Sequence, residues 1–328
     1  MEAMNVKERF HASMNGEAVD RLPILEWAVW WDQTVDRWKS EGLPTTNRYE
    51  MYDYFGLDMY RETACNAQTA ATPKPASHGA GIATSEEEYE KILPTLYHPF
   101  SFSAEEQQWI KDNREGKNIF RFGMQGFFWY PRQLFGIQEH LFAFYDHPAL
   151  MNRMNEDLCN YLCRTLDYVL DHIEPDFITF AEDMSYNHGP MVSREQYDEL
   201  ILPYSKRVIS KFAGTKTHTI IDSDGDITGP IQWFQDAGLD GALPLERQAG
   251  VDINLLQKQY PGFKYIGHFD KMVMHRGEAA LRKEFERVIP AAKKGGFIIS
   301  VDHQTPPGVS LEDYKLYIKL FKEYAVCR

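Results

Sequence analysis

The fold is decided by residues 217–246, which read THTIIDSDGDITGPIQWFQDAGLDGALPLE. A β-rich run at 217–222 is followed by a stretch with helical periodicity at 228–237 and by a second β-rich run at 241–245. A strand, a helix and a second strand within about 30 residues form a βαβ unit, in which the two strands run parallel. The stretch therefore predicts a parallel sheet that is covered by helices.

The same alternation of strand and helix patterns recurs along the chain. Further strands are predicted at 22–26, 118–124, 177–182, 265–268 and 297–302. Further helices are predicted at 148–173, 193–212, 254–259, 278–294 and 311–324. About seven or eight βα repeats in a chain of this length are typical of a (β/α)8 barrel. We therefore predict one barrel domain over residues 1–328, with an N-terminal helical extension.

An open, doubly wound sheet is the alternative fold for an alternating chain. Its phosphate-binding signature, G-x-G-x-x-G after the first strand, does not occur here, and no Walker lysine occurs anywhere. The sequence therefore favours the barrel.

Composition excludes several classes of function. The chain has 328 residues, of which 43% are hydrophobic and 25% are charged, and no apolar run approaches the roughly 20 residues of a membrane span. With 35 basic and 48 acidic residues the net charge is -13, which disfavours nucleic acid as a partner. The four cysteines, at 65, 159, 163 and 327, lack zinc-ribbon spacing, and the charged N-terminus lacks a signal peptide. We expect a full-length cytoplasmic protein.

Polar residues follow almost every predicted strand. They are Glu26, Asp58, Glu182, Asp183, Asp222, Asp224, Asp226, Glu246, His268, Asp270, Lys271, Asp302 and His303. In a barrel the active site is built at the carboxyl ends of the strands. Any one of these residues is most simply a helix cap, but together they would be costly to desolvate unless they hold a cation or a proton-transferring substrate. The set predicts an enzyme active site.

Two local patterns in this set have alternative explanations. The run Asp-Ser-Asp-Gly-Asp at 222–226 is similar to the start of a calcium loop, but its twelfth position is Trp233 instead of glutamate. We therefore reject calcium, and Asp222 or Asp226 is equally well explained as a helix cap. His303 follows a buried-strand pattern and precedes Thr-Pro-Pro-Gly, a position that favours a metal ligand or a general acid/base.

Two aromatic clusters follow predicted strands. They contribute Trp30 and Trp31 after 22–26, and Phe128, Trp129 and Tyr130 after 118–124. Flat apolar side chains at a barrel mouth suit an aromatic ligand, although ordinary core packing is an equally good explanation. We predict these five residues, with Lys271, to bind the substrate.

Several segments in order resemble the uroporphyrinogen decarboxylase superfamily. They are FITFAEDMSYNHGPMVS at 177–193, LPYSKRVI at 202–209 and VDHQTPP at 301–307. The resemblance spans nearly the whole chain and implies a (β/α)8 barrel. The superfamily contains decarboxylases and zinc-dependent methyltransferases that move methyl groups to or from corrinoid proteins.

The decarboxylase branch is the less similar of the two. Its M-R-Q-A-G-R segment, whose arginines hold the carboxylates of a porphyrinogen, is replaced here by EWAVWWDQ at 26–33. However, Asp58 resembles the substrate-orienting aspartate of the family, and His303 falls where the decarboxylases place a histidine. A carboxy-lyase acting on a small or planar organic acid is therefore the alternative, with Asp58, His303 and Tyr130 as proton-handling groups.

The methyltransferase branch that activates thiols carries H-x-C where this chain has Asp222-Ser-Asp224. The resemblance thus implies a zinc site with oxygen and imidazole ligands, namely Asp222, Asp224, Glu246 and His303, with Glu182 or His268 as further candidates. Such a site suits a Lewis acid that acts on an ether oxygen.

We therefore predict the methyltransferase of a corrinoid-dependent O-demethylase system, acting on a methoxylated, aromatic substrate. The catalytic residues are predicted to be His303, Asp224, Asp58, Glu182 and Asp183. The corrinoid is expected on a partner protein, because the chain has no D-x-H-x-x-G pattern. Oligomeric state is left open, with a homodimer as one alternative. A non-enzymatic binding protein is disfavoured, because adjacent buried carboxylates would only cost stability.

Overall fold

The computed structural model describes residues 3–327 and contains a parallel sheet of seven strands in chain order. The sheet strands are β1 (Tyr60–Ala64), β2 (Ile119–Gln125), β3 (Phe177–Ala181), β6 (His218–Asp222), β7 (Gly241–Leu243), β8 (Lys264–Phe269) and β9 (Phe297–Val301). A separate hairpin of β4 (Ser185–Tyr186) and β5 (Gly189–Pro190) follows β3. Each sheet strand pairs with the next one along the chain, so the sheet curls as in a (β/α)8 barrel.

Helices connect the strands, as the alternating pattern predicts. They are α1 (Val6–Asn15), α2 (Asp32–Ser40), α3 (Arg48–Phe55), α4 (Glu86–Ile92), α5 (Ala104–Arg114), α6 (Trp129–Phe135), α7 (Ile137–Asp146), α8 (Pro148–His172), α9 (Arg194–Leu200), α10 (Leu202–Ile209), α11 (Ile231–Asp236), α12 (Ile253–Gln259), α13 (Glu278–Ala292) and α14 (Leu311–Tyr324). Short 3-10 helices lie at Leu93–Thr95, Ser210–Phe212, Arg247–Ala249 and Lys271–Val273. None of the helices within residues 3–327 has both the length and the apolar character needed to cross a bilayer.

The predicted first strand at 22–26 is wrong, because this segment is buried and extended but forms no ladder. The Ile24 carbonyl accepts from the Asp58 amide at 2.7 Å, next to β1. On the other side, the Trp27 amide donates to Ser300 Oγ at 3.1 Å, within β9. The Ile24 amide donates to the Asp58 carboxylate, and the Val301 amide donates to the Glu26 carboxylate. In a β-ladder these amides would donate to backbone carbonyls instead. Segment 22–27 thus fills the gap between β1 and β9.

Strand β1 was not predicted from the sequence. Only Tyr60 of its five residues is buried, and the following Arg61, Glu62 and Thr63 are polar and half-buried. Such a run lacks the continuous apolar pattern that identifies a strand buried on both faces. The sheet position of β1 is fixed by its pairing with β2 and not by its own composition.

The single helix predicted at 193–212 is divided in the structure. α9 ends at Leu200 and α10 begins at Leu202, with Pro203 in its first turn. Proline lacks an amide hydrogen and clashes with the preceding turn, so it begins a helix more readily than it continues one. The Leu200 carbonyl accepts instead from Asn155 Nδ2 of α8, at 2.8 Å.

Candidate active site at the carboxyl ends of the strands

Six polar side chains lie after the carboxyl ends of neighbouring strands. We call Asp183, Asp224, Glu246, Lys271, Asp302 and His303 the mouth cluster. They follow β3, β6, β7, β8 and β9, whose carboxyl ends meet at one end of the sheet. This is the end at which barrels build their active sites.

Backbone amides hold the acidic members of the cluster in place. Asp183 Oδ1 accepts from the Asp224 amide at 3.3 Å, and Glu246 Oε2 accepts from the Gly225 amide at 3.0 Å. Gly225 has φ +81°, and a Cβ atom there would lie 2.7 Å from the backbone of Tyr186. Only glycine can therefore form this turn, and the turn brings three carboxyl groups together.

Lys271 and Asp302 close the other side of the cluster. Lys271 Nζ lies 3.3 Å from Glu246 Oε1 and 3.9 Å from Asp302 Oδ1. The buried Asp302 carboxylate also accepts from the amides of Arg247 at 3.0 Å and Lys271 at 3.1 Å. These bonds fix the loops after β7, β8 and β9 to one another.

Asp224 and His303 form the exposed centre of the cluster. Asp224 Oδ2 lies 3.6 Å from His303 Nε2, and the two side chains are 39% and 31% exposed. Trp27 packs edge-on against His303, with ring centroids 6.4 Å apart. Both polar groups are therefore accessible to a ligand that enters the mouth, and Trp27 limits the positions available to the imidazole ring.

The electrostatics of this pair favour a proton on Asp224. Burial, and then the neighbouring Asp183, Glu246 and Asp222, raise the pKa of Asp224 to about 8. Burial, and then Lys271, lower the pKa of His303. A raised pKa at Asp224 beside a lowered pKa at His303 favours a carboxylic acid next to a neutral imidazole, which is an arrangement suited to general acid catalysis.

Two further acids share this environment. Burial raises the pKa of Asp183, and the backbone amide of Asp224 opposes that rise. Burial raises the pKa of Asp222, the last residue of β6, to about 7, and Arg121 opposes that rise. Asp183 also has φ +42°, a backbone conformation that is uncommon outside glycine but is adopted by Asp and Asn more readily than by most residues.

Asp58 was expected at this site, and that expectation is wrong. It precedes β1 and therefore lies at the opposite end of the barrel. Its buried carboxylate pairs with Arg9 at 3.2 Å and with Arg21, and accepts from the Ile24 amide at 2.9 Å. These bonds identify Asp58 as a structural residue that attaches α1 and segment 22–27 to the barrel.

Glu182 was predicted to be catalytic, but its carboxylate accepts hydrogen bonds from backbone amides. It accepts from the amides of Phe127 at 2.8 Å, Phe128 at 2.7 Å and Trp129 at 3.2 Å. It is buried, and burial raises its pKa to about 7. Glu182 therefore stabilises the start of α6, and Asp183 is the member of the pair that reaches the mouth.

His268, an additional candidate metal ligand, is also bonded to other protein groups within the core. Its Nδ1 bonds to the Leu245 carbonyl at 2.9 Å, and its Nε2 lies 2.9 Å from an Arg287 nitrogen. It is fully buried, and burial lowers its pKa to about 4. His268 is therefore not available to a metal or a substrate in the mouth.

Of the five aromatic residues predicted to bind the substrate, the structure leaves two accessible to a ligand. Trp30 packs against Trp38, Tyr52, Phe55 and Tyr314 in the core. Phe128 and Tyr130 are fully buried, so three of the five residues cannot contact a substrate. Trp31 is 43% exposed and precedes α2, and Trp129 lines a cavity beside the mouth.

The predicted zinc ligands were tested for their fit to an ion. Of the four, Asp224 and His303 approach each other, whereas Glu246 is held by Lys271 and the Gly225 amide. Within residues 3–327, no three His, Cys, Asp or Glu side chains are arranged to hold one metal ion. The four residues therefore do not form a prepared zinc site in this arrangement.

Two residues near the mouth were not assigned a role from the sequence. Trp27, next to His303, lies within EWAVWW, where sequence gives no basis for choosing among three tryptophans. Arg132 lies on α6 and faces the same cavity as Trp129. It ends the aromatic segment GFFWYPR, and nothing in the sequence shows that its side chain lines a cavity.

The fold and the position of this site define an enzyme-like (β/α)8 barrel. The model of the uroporphyrinogen decarboxylase (URO-D) family matches residues 135–324, which is more than half of the chain. The chain therefore belongs to the uroporphyrinogen decarboxylase family. A uroporphyrinogen decarboxylase from Hydrogenobaculum sp. (strain Y04AAS1) is 24% identical over 179 residues, which are 54% of this chain. The match covers 48% of that relative, about half of its length.

Solved structures show the same fold over almost the whole chain. A methyltransferase from Methanosarcina mazei superposes with a TM-score of 0.67 and 14% identity, covering 98% of this chain and 99% of that chain. A B12-independent methionine synthase from Shewanella sp. W3-18-1, in complex with selenomethionine, superposes with a TM-score of 0.51 and 12% identity. That comparison covers 96% of this chain and 97% of the synthase. At these identities the likeness establishes a shared fold.

Proposed function

We propose that this protein is the methyltransferase of a corrinoid-dependent O-demethylase system. It would transfer a methyl group from a methoxylated aromatic compound to a Co(I) corrinoid carried by a partner protein. The observation that carries the proposal is the Asp224–His303 pair, which places a carboxyl group of raised pKa within 3.6 Å of an imidazole in an accessible barrel mouth. The test is anaerobic conversion of cob(I)alamin to methylcobalamin in the presence of methoxylated aromatic compounds.

The chemistry requires an acid at the ether oxygen. The bond between the methyl carbon and the oxygen breaks, and its electron pair stays on the oxygen, which is a poor leaving group unless it is protonated. Asp224 donates its proton to that oxygen, and the product leaves as a phenol. The Co(I) corrinoid of the partner supplies the electron pair for the new bond to the methyl carbon. Solvent restores the proton to Asp224, whose side chain is 39% exposed, and the neutral imidazole of His303, at 3.6 Å, is placed to relay it.

The charge of the mouth supports an uncharged reacting group. Asp183, Glu246 and Asp222 lie near Asp224, and Lys271 already contacts Glu246 and Asp302. A methoxy group is neutral and enters such a site without repulsion, whereas a reacting carboxylate would add a further negative charge. The family and the shared fold with the Methanosarcina mazei methyltransferase are consistent with this class of reaction.

The carboxy-lyase alternative has less support. Two of its three proton-handling groups do not reach the mouth, because Asp58 lies at the opposite end of the barrel and Tyr130 is fully buried. Only His303 remains at the site. A lyase that uses His303 with Asp224 would release carbon dioxide from a small or planar organic acid and would form no methylcobalamin.

Zinc binding remains a proposal, and the observed positions of the predicted ligand side chains do not favour it. To bind an ion together with Asp224 and His303, Glu246 would have to leave Lys271 and the Gly225 amide. Elemental analysis of the purified protein by inductively coupled plasma mass spectrometry tests this. Stoichiometric zinc that is lost in His303→Ala would support the zinc site, and zinc that is retained in His303→Ala would contradict this ligand set.

The pH dependence of methyl transfer follows from the pKa of Asp224. Because the acid form is required and the pKa is raised to about 8, we expect kcat/KM to fall above about pH 8, by about tenfold per pH unit. Below about pH 8, kcat/KM should not change with the protonation of Asp224. A pH profile of the wild type, compared with Asp224→Asn in the same assay, measures the effect. An identical decline in both proteins would contradict the assignment of Asp224 as the acid.

A further inference from the structure

A cavity of about 540 Å³ lies at the end of the sheet that carries the mouth cluster. One wall is the loop at 66–82, which follows β1, and the other wall is formed by residues from α6 and α7, which follow β2. The cavity therefore opens at the same end of the sheet as Asp224 and His303. The proposed chemistry at Asp224 makes no use of this cavity.

The charge of the cavity is opposite to that of the protein. Its wall contains the cations Lys74 and Arg132 and no aspartate or glutamate, although the chain carries a net charge of -13. The other polar side chains that line it include Asn66, Gln68 and Gln133, which are neutral. This composition favours an anion over a cation or an uncharged ligand.

Arg132 is the best-placed group for such an anion. Its guanidinium group stacks on the Trp129 ring at 5.0 Å, and it is half-buried. Within the described chain its side chain has neither a hydrogen bond nor an ion pair, whereas Arg9, Arg121 and Arg287 each pair with a carboxylate. A half-buried guanidinium group that lacks an acceptor presents a planar fork of donors to a ligand.

The walls of the cavity are fixed by backbone bonds. The Ile82 amide donates to the Leu134 carbonyl at 2.7 Å, and the Ile137 amide donates to the Gly79 carbonyl at 3.0 Å. Gly136 has φ +89°, and a Cβ atom there would lie 2.5 Å from the Gly81 nitrogen. The loop and the two helices therefore form a cavity that exists before a ligand binds, which lowers the entropic cost of binding.

We propose that this cavity binds the carboxylate of an aromatic acid, with Arg132 as the bidentate partner, Lys74 as a second cation and Trp129 beside the ring. The inference rests on the proposed function, because it assigns the carboxylate to the end of the substrate away from the methoxy group. Arg132 also acts electrostatically on Asp183, and Asp183 accepts from the Asp224 amide. The anion site and the acid thus lie at the same end of the barrel, linked by Asp183.

Isothermal titration calorimetry of the full chain tests the site without any corrinoid. The probes are 4-methoxybenzoate and methoxybenzene, which differ in the carboxylate. We expect 4-methoxybenzoate to bind more tightly than methoxybenzene, and Arg132→Gln to weaken its binding by about 10- to 100-fold. Arg132→Lys keeps the charge but loses the fork, so its loss should be smaller. Arg164→Gln, which alters an exposed arginine of α8, is the matched control and should bind as the wild type does.

The outcomes separate this inference from the proposed function. Equal affinity of the wild type for the two probes, or unchanged affinity in folded Arg132→Gln, would overturn the anion site. If Arg132→Gln does not fold, the affinities of the wild type for 4-methoxybenzoate and methoxybenzene still test the anion site. Arg132-dependent binding without methyl transfer would reject the proposed reaction but keep the site. Transfer from methoxybenzene as fast as from 4-methoxybenzoate, with no effect of Arg132→Gln, would reject the site but keep the reaction.

Discussion

Asp224→Asn is expected to lower kcat for methyl transfer by about 10²- to 10⁴-fold, the usual contribution of a general acid. Asparagine keeps the shape of the side chain but has no proton of suitable acidity to donate to the ether oxygen. The half-exposed position of Asp224 means that the substitution leaves no buried charge without a partner. Anaerobic steady-state kinetics with cob(I)alamin and a methoxylated aromatic substrate measure the loss.

A matched control for this variant is Asp226→Asn, in the same loop. Asp226 Oδ1 accepts from the Thr228 amide at 3.0 Å, and the amide oxygen of asparagine can take over that bond. We expect this control to keep the wild-type rate. If Asp224→Asn also keeps the wild-type rate, Asp224 is not the general acid, and the acidic residues of the mouth cluster do not serve to protonate the ether oxygen.

Asp58→Asn is expected to lower the free energy of unfolding by about 2–4 kcal/mol, because it removes the buried carboxylate that Arg9 and Arg21 share, while Arg9 keeps its pair with Asp20. The residue lies at the end of the barrel opposite to the mouth, so KM and kcat of the folded protein should not change. Urea unfolding followed by circular dichroism measures the stability, and kinetics at low temperature measure the activity.

The control here is Asp53→Asn, an exposed residue of α3, which should change the unfolding free energy by less than about 0.5 kcal/mol. A variant at Asp58 that is as stable as the wild type but inactive would contradict the structural assignment. That result would indicate a catalytic role for Asp58 and would favour the carboxy-lyase alternative.

The barrel could be predicted from the sequence because several of its strands are buried on both faces. Strands β3, β6 and β9 are buried along almost their whole length and rich in β-branched and aromatic residues, and the predicted bounds differ from the observed ones by one residue at one end. Segment 22–27 has a similar composition, but its amides bond to side chains. The carboxylate of Asp58 that replaces a ladder partner is 34 positions away from Ile24 in the chain, and no local pattern reveals it.

The site was predictable to the extent that position in the barrel determines it. Asp224, Glu246 and His303 follow strands, and the structure places all three at the mouth, while their roles stay predictions. Glu182 and Asp183 are adjacent, and only the backbone geometry after β3 decides which of the two faces the mouth.

The aromatic residues and Arg132 show the same limit. Trp129 and Tyr130 are neighbours on α6, and one lines the cavity while the other is in the core. The lack of a partner for the Arg132 side chain within residues 3–327 is a tertiary property, because it depends on which carboxylates the fold leaves out of reach. A sequence pattern identifies candidates of this kind but does not select among them.

The central claim is that Asp224 protonates the leaving oxygen while a methyl group passes to a corrinoid. The most direct measurement is an anaerobic assay with 4-methoxybenzoate and cob(I)alamin, or the natural corrinoid protein, that records methylcobalamin and 4-hydroxybenzoate together. We predict that the two products form in equal amounts with the wild type and that both are lost together in Asp224→Asn. Release of carbon dioxide and methoxybenzene, with no methylated corrinoid, would contradict the account and identify a carboxy-lyase.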